Sequence, residues 1–286
     1  MKLPLVSVVI PAYNRPDTLE IAIKSVLEQT YSNIEIIICD DSTDDRVQKM
    51  LEPYLESYSF IQYYKNEQNL FLKNWHKCFD HANGEYINYL MDDDVFHKEK
   101  IEKMLYYFNE FDNITLVTSY RQTINNKGDI IPPIWATARL YQETRIMDGT
   151  MFGNVALTRG LNVIGEPTTV LFRKKDLTEP FGIYKGNQYS LVNDLASWLS
   201  LLSKGKAVYI PEALSYFRLH PDQTSNKIGA SSFKEWLDIL IAAREDGFLE
   251  CNDLYKSALL TYRGRIKNHP KFGDVNERIE SILNNI

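Results

Sequence analysis

Four compact apolar runs alternate with amphipathic stretches over the first 110 residues. "LVSVVI" (5–10), "IEIIIC" (34–39), "IQYYKN" and "EYINYLM" (85–91) are short, rich in β-branched or aromatic residues, and read as strands. In "DTLEIAIKSVLEQT", Leu19, Ala22, Ile23, Val26 and Leu27 recur at helical spacing, and Asp17 with Glu20 predicts a capping-box start. "RVQKMLEPYLESY" predicts a helix interrupted by Pro53. "LKNWHKCFDHA" and "KEKIEKMLYYFNEF" predict two further helices. This β-α alternation implies a mainly parallel central sheet with helices on both faces.

The second half is less regular. "ITLVTSY" predicts a strand, and residues 121 to 165 follow with weak periodicity, implying loops and short elements. "TTVLFR" (168–173) predicts a strand, "NDLASWLSLLSKG" a helix, and "KAVYI…SYFRLH" a pair of strands. Helical patterns at 233–247, 252–267 and 275–285 predict a C-terminal helical extension, which divides the chain into 1–222 and 223–286.

Composition narrows the function classes. A chain of 286 residues with 44% hydrophobic content can bury a full core. Its net charge of −6, with no basic stripe interleaved with aromatics, argues against nucleic acid as a partner. Cys39, Cys78 and Cys251 form no Cys-x-x-Cys pair, read as packing residues, and suit a reducing compartment. The opening residues resemble a first strand more than a signal peptide, and no window reaches the ~18 apolar residues of a membrane span. The expected location is cytoplasmic, with peripheral attachment to the inner face of a membrane left open for the C-terminal helices.

Three polar clusters follow successive strands: "PAYNR" (11–15), "DDSTDD" (40–45) and "DDD" (92–94). In an open parallel sheet these loops share one rim, where ligands bind. Two carboxylates roughly 4 Å apart repel by about 4 kcal/mol at an effective dielectric of about 20, so the triple aspartate calls for a cation or strong donors. Each cluster alone also fits a helix cap or a turn. Together they suit a nucleotide diphosphate, with Arg15 facing phosphate or base and Mg²⁺ or Mn²⁺ bridging acid to diphosphate.

The blocks "VSVVIPAYNRPDTLEIAIKSVLEQTYSNIEIIICDDSTDD", "NEQNLFLKNW", "GEYINYLMDDDVF", "GEPTTVLFRK", "NDLASW" and "YFRLHPDQTS" resemble, in order, those of family 2 glycosyltransferases with the GT-A fold. The resemblance spans residue 5 to about 225. It implies that Pro11, Tyr13 and Arg15 lie against the nucleotide, that Asp41 holds the base, and that Asp92 contacts the ribose. It also implies metal binding by Asp93 and Asp94, and by His220, the match to the family's C-terminal histidine. Met91 stands where the family's Asp-x-Asp-Asp begins, and Phe71 where it often has glycine.

Inverting sugar transfer needs a general base on the acceptor hydroxyl. By resemblance that base is Asp194 in "YSLVNDLASW"; a helix start would lower its pKa, whereas burial and nearby acids would raise it. In "SYFRLH", alternation places Tyr216, Arg218 and His220 on one face, with Arg218 available to balance the leaving phosphates. Glu166 of "GEP" falls near the acceptor side by resemblance. Trp135, in the irregular region, suits stacking on an acceptor sugar, but such a residue is more often core, and it is assigned no role.

The expected activity is metal-dependent inverting transfer from a nucleotide-diphosphate sugar, a UDP-sugar by preference, to a glycan or lipid-linked glycan acceptor in bacterial surface-glycan synthesis. A sugar nucleotidyltransferase would need a glycine-rich phosphate loop after the first strand, and "PAYNRPD" has no glycine. A catalytically inactive sugar-nucleotide binder would have no need of Asp194 and His220.

Overall fold

The computed structural model describes residues 3–221, 223, 234–267 and 272–286. Its centre is a sheet in the order β3-β2-β1-β4-β8-β6-β11-β5. These strands are β1 (Val6–Ala12), β2 (Ile34–Asp40), β3 (Ile61–Lys65), β4 (Tyr86–Tyr89), β5 (Val95–Phe96), β6 (Ile114–Ile124), β8 (Leu171–Arg173) and β11 (Lys206–Arg218). A further strand, β7 (Arg145–Asp148), pairs with β11, and β9 (Ile183–Tyr184) with β10 (Asn187–Gln188) forms a small hairpin. Strands β1–β4 run parallel, as do β6 and β11; β8 runs antiparallel between β4 and β6.

Strand residues alternate between two cores, as the two-residue period requires. Val8, Ile10, Ile36 and Ile38 face helices α1 (Pro16–Leu27), α2 (Arg46–Ser57) and α4 (Lys100–Glu110). Val9, Ile37 and Cys39 face the side covered by α3 (Leu72–His81), α5 (Gly149–Arg159) and α6 (Asn193–Leu202). On that second side, α7 (Lys234–Glu245), α8 (Asn252–Ile266) and α9 (Gly273–Asn284) join the same apolar cluster through Leu240, Leu259 and Ile279. The C-terminal helices therefore share a core with α5 and α6.

Several local expectations are corrected. Helix α1 begins on Pro16 with Arg15 at its cap, so no capping box forms; Glu20 instead pairs with Lys24. Helix α2 runs through Pro53. Prolines lose one backbone donor but do not always break a helix that packing holds. The expected strand pair at 206–220 is one strand, β11, which shifts register around Pro211 between Ile210 and Ser215; a bulge tolerates the proline's missing donor. Cys251 is exposed and Trp135 is 69% exposed, so neither is a core residue.

The weakly periodic region hides an 11-residue helix, α5, whose buried face is Gly149, Phe152, Gly153, Ala156 and Leu157. The spacing is helical, but two of the five positions are glycine and carry no hydrophobic signal. Contact explains them: a Cβ on Gly149 would collide with the Leu202 and Gly205 carbonyl oxygens, and one on Gly153 with the Phe248 ring.

Candidate active site

The carboxyl ends of β1, β2 and β4 form the expected rim. Pro11 is buried within β1, paired to Cys39, while Tyr13 is 42% exposed beyond the strand end. The loop after β1 is tied to the loop after β2: Asn14 N donates to Ser42 Oγ at 2.7 Å, and Thr43 N donates to Asn14 Oδ1 at 2.9 Å. Asn14 itself takes a positive φ of 56°. Asp41 is buried at the base of this rim. It accepts from Asn66 Nδ2 and from the backbone N–H groups of Leu70 and Phe71, and burial raises its pKa above the usual carboxylate value.

The three aspartates after β4 point in three directions. Asp92 accepts from Tyr13 N and from an Arg15 guanidinium nitrogen, both at 2.9 Å, and its pKa is pushed up to about 7 by burial and then by Asp93. Asp93 Oδ2 accepts from the same Arg15 nitrogen at 3.0 Å and lies 2.8 Å from His220 Nε2. Asp94, expected beside Asp93 as a metal ligand, is turned inward. Its Oδ2 accepts from Thr168 Oγ1 at 2.6 Å and its Oδ1 from Arg218 N at 3.0 Å.

Arg218, expected to face the leaving phosphates, is 2% exposed, and its guanidinium donates to the carbonyls of Asp93, Asn125 and Asn126. It anchors the acidic loop to the turn after β6. The charge at the rim surface comes instead from Arg15, whose side chain is 27% exposed.

Whether the rim suits a divalent cation turns on ligand spacing. Two ligands at right angles around an ion held at ~2.1 Å lie about 3 Å apart, close to the Asp93–His220 separation of 2.8 Å. A carboxylate oxygen and an imidazole nitrogen are both acceptable donors to Mn²⁺. Among the described residues no group of three or more acidic, histidine or cysteine side chains converges on one point. This pair fits a cation only if the ligand supplies the remaining oxygens, as a diphosphate can.

Asp194 lies in the first turn of α6. Its Oδ2 accepts from Asn162 Nδ2 at 2.8 Å and its Oδ1 from Leu195 N at 2.7 Å. Protein surrounds the carboxyl while part of the residue stays accessible, and burial outweighs these two donors: the pKa is pushed up to about 7. Neighbouring Glu166 adds to the rise. Glu166 is itself engaged by Arg121, with an N–O distance of 2.7 Å, and Arg121 also donates to the Ala136 carbonyl. The positive charge near Asp194 is thus already matched by another acid.

Arg121 and Asn162 were not singled out from sequence. Arg121 does leave a trace, as the one charge inside the β6 run "ITLVTSYRQTI". Asn162 leaves none.

The pattern of glycosyl transferase family 2 matches residues 7–177. The chain is 34% identical over 75% of its length to an uncharacterised glycosyltransferase of Rickettsia conorii, of which it spans a third. It is 30% identical to an Escherichia coli protein named as the UDP-Glc:alpha-D-GlcNAc-diphosphoundecaprenol beta-1,3-glucosyltransferase WfaP, over 81% of this chain and 82% of that one. It is 28% identical to TuaG of Bacillus subtilis, named as a putative teichuronic acid biosynthesis glycosyltransferase, over 82% and 86% of the two chains. Among solved structures, S. aureus TarS in complex with UDP-GlcNAc superposes over 94% of this chain and 74% of that one, with a TM-score of 0.69 at 15% identity, a likeness of fold. A GT-A sheet whose strand ends gather Arg15, Asp93 and His220, together with the matched pattern, leads to one assignment: the chain belongs to glycosyl transferase family 2 and is a glycosyltransferase.

Proposed function

We propose that the enzyme transfers a sugar, with inversion, from a UDP-sugar to a hydroxyl of a lipid-linked glycan during cell-surface polysaccharide synthesis. The donor and acceptor classes are those in the names of WfaP and TarS, and the setting is that of TuaG. The observation that carries the reading is Asp194: a partly accessible carboxyl with a pKa of about 7. A general base is most effective when its pKa lies near the working pH.

In this reading the diphosphate lies on the rim beside Arg15, between the loops after β1 and β4. Asp93 and His220 are the residues that would hold Mn²⁺ or Mg²⁺, and such an ion would supply charge neutralisation for the leaving diphosphate. Asp94 and Arg218 hold the loop that presents Asp93. The acceptor enters from the side of α5 and α6. Asp194 takes the proton of its hydroxyl as the oxygen attacks the anomeric carbon, opposite the departing UDP. Asn162 fixes the carboxyl's orientation, and Glu166, paired with Arg121, adds to the rise of its pKa.

The test is Asp194→Asn, assayed for transfer and, separately, for donor binding by calorimetry. The expected result is a transfer rate lower by about 10²–10⁴-fold at unchanged donor affinity. Unchanged turnover would remove Asp194 from the mechanism.

A further inference from the structure

A cleft of ≈ 430 Å³ opens between the 3-10 turn Trp135–Thr137, the C-terminal end of α5, and α8. Three arginines line it, Arg139, Arg159 and Arg265, and no carboxylate does. In a chain of net charge −6 such a lining is a local reversal of sign. Among the described residues none of the three forms an ion pair. Arg265 donates to the carbonyls of Gly160 and Arg159 and stacks on the Trp135 ring at 4.5 Å. It therefore braces the cleft, while Arg139 and Arg159 stay exposed at its mouth.

Two connections tie this cleft to the candidate base. Asn162, which holds Asp194, lies between Leu161 and Val163, and both of these line the cleft. On the opposite wall Ala136 accepts from Arg121, the partner of Glu166. Consecutive Cα atoms are ~3.8 Å apart, so the cleft wall lies one residue from the group that orients the base. A ligand seated here lies among arginines, against a wall whose intervening residue, Asn162, holds Asp194.

We propose that this cleft is the acceptor subsite and that it selects acceptors bearing a sugar phosphate. Arg139 and Arg159 pair with the phosphoryl oxygens, and the sugar packs on the exposed part of Trp135. Planar guanidinium groups suit phosphate through paired donors, and the cleft's volume lies within the 300–1,000 Å³ range typical of small-molecule sites. The proposal rests on Asp194 marking the acceptor side.

The experiment is calorimetric binding of three probes: octyl N-acetylglucosaminyl diphosphate, free N-acetylglucosamine 1-phosphate, and the uncharged octyl N-acetylglucosaminide. Each is titrated into the native enzyme and into Arg139→Gln/Arg159→Gln, with and without UDP. No turnover is required, so loss of the transfer reading, seen only in the Asp194→Asn assay, is distinguishable from loss of this one. The two phosphorylated probes are expected to bind the native enzyme and to lose about tenfold to a hundredfold in affinity in the double variant, while the neutral glycoside binds weakly and equally to both. Tighter binding of the octyl diphosphate than of the free 1-phosphate supports a lipid-linked source, and equal binding supports the sugar phosphate alone. Unchanged affinity in the variant, or equal affinity for charged and neutral probes, overturns the proposal.

Discussion

At the strand-end rim, Asp93 accepts from a guanidinium and lies against an imidazole, and neighbouring Asp40 is held by Lys65. On the wall formed by α5 and α6, Asp194 accepts from a side-chain amide and one backbone N–H, and the nearest guanidinium is engaged by Glu166. Both places hold enclosed acids; at the rim Arg15 engages Asp92 and Asp93 and Lys65 engages Asp40, while Asp41 and Asp94 accept from neutral donors, as Asp194 does on the wall. A charged donor can be exchanged for another cation without upsetting the local balance. The neutral donors at Asp194 offset only part of its desolvation, so burial still raises its pKa. In the proposed reading the two regions have different tasks, the rim holding a charged ligand and Asp194 moving a proton.

The most severe way to break this contrast is at the rim. Asp93→Asn and His220→Gln are each expected to lower transfer by about 100-fold or more, because each removes one of the two groups proposed to hold the cation. They should also abolish the Mn²⁺-dependent part of the rise in melting temperature that a UDP-sugar produces by binding the native state. A Mn²⁺-dependent shift that survives in Asp93→Asn would dissociate the rim from the ion. Asp94→Asn serves as the contrast: its partners are Thr168 and a backbone N–H, so its expected effect is on stability, read as a lower urea midpoint.

The wall's construction is tested next by adding single carbons. Gly149→Ala drives a Cβ into the Leu202 and Gly205 carbonyls, atoms of backbone that cannot rotate away. Overpacking of this kind costs about 1–3 kcal/mol, measurable as a lower urea midpoint at unchanged m-value. Gly264 of α8 has nothing within 4 Å of the equivalent position. There, Gly264→Ala is expected to stabilise by about 0.5–1 kcal/mol from helix propensity. If both variants behaved alike, close approach would not be what places glycine in α5.

Those glycines also show why the two regions were unequally legible in sequence. The rim was written in apolar strands followed by polar loops: "VSVVIPAYNR", "IEIIICDD" and "YINYLMDDD" each announce a buried strand and the chemistry at its end. The direction in which each aspartate points was not written there, because Asp92, Asp93 and Asp94 are alike as letters and differ only through partners about 75 to 125 residues away. The wall was harder still. Its helix α5 packs through glycine, the orienting Asn162 lies in a loop, and Trp135 looks like core until its surroundings are known. Asp194 was singled out by family resemblance, and its raised pKa follows only from enclosure that no local pattern encodes.

Proton affinity at the wall gives a third, smaller effect. With a pKa of about 7 for Asp194, the base form is depleted below neutrality, and kcat/KM is expected to fall about tenfold per pH unit below that point. The stability consequence has the opposite sense from that of an ion-paired acid. The folded-state pKa lies above the ordinary 3.8, so the native state binds the proton more tightly than the unfolded chain. Stability from this group is full below about pH 4 and is lost as pH rises toward 7. Asp194→Asn should flatten that decline, and a parallel decline in the variant would assign it to other groups.

The smallest effect concerns the floor of the rim. Phe71 has φ = 52° and ψ = −124°, a conformation that favours glycine, and its side chain is 74% exposed. Its N–H, with that of Leu70, donates to Asp41 Oδ2, so the strained turn aims two donors at a buried carboxylate. Such backbone strain costs of order 1–3 kcal/mol, whereas glycine's greater freedom in the unfolded chain would take back about 0.4–1 kcal/mol. Little side-chain burial is at stake. Phe71→Gly is therefore expected to raise stability by about 1 kcal/mol while leaving donor affinity unchanged, because the N–H groups that hold Asp41 remain. Higher stability with weaker donor binding would show that the Phe71 ring itself touches the nucleotide, making it part of the rim's ligand surface.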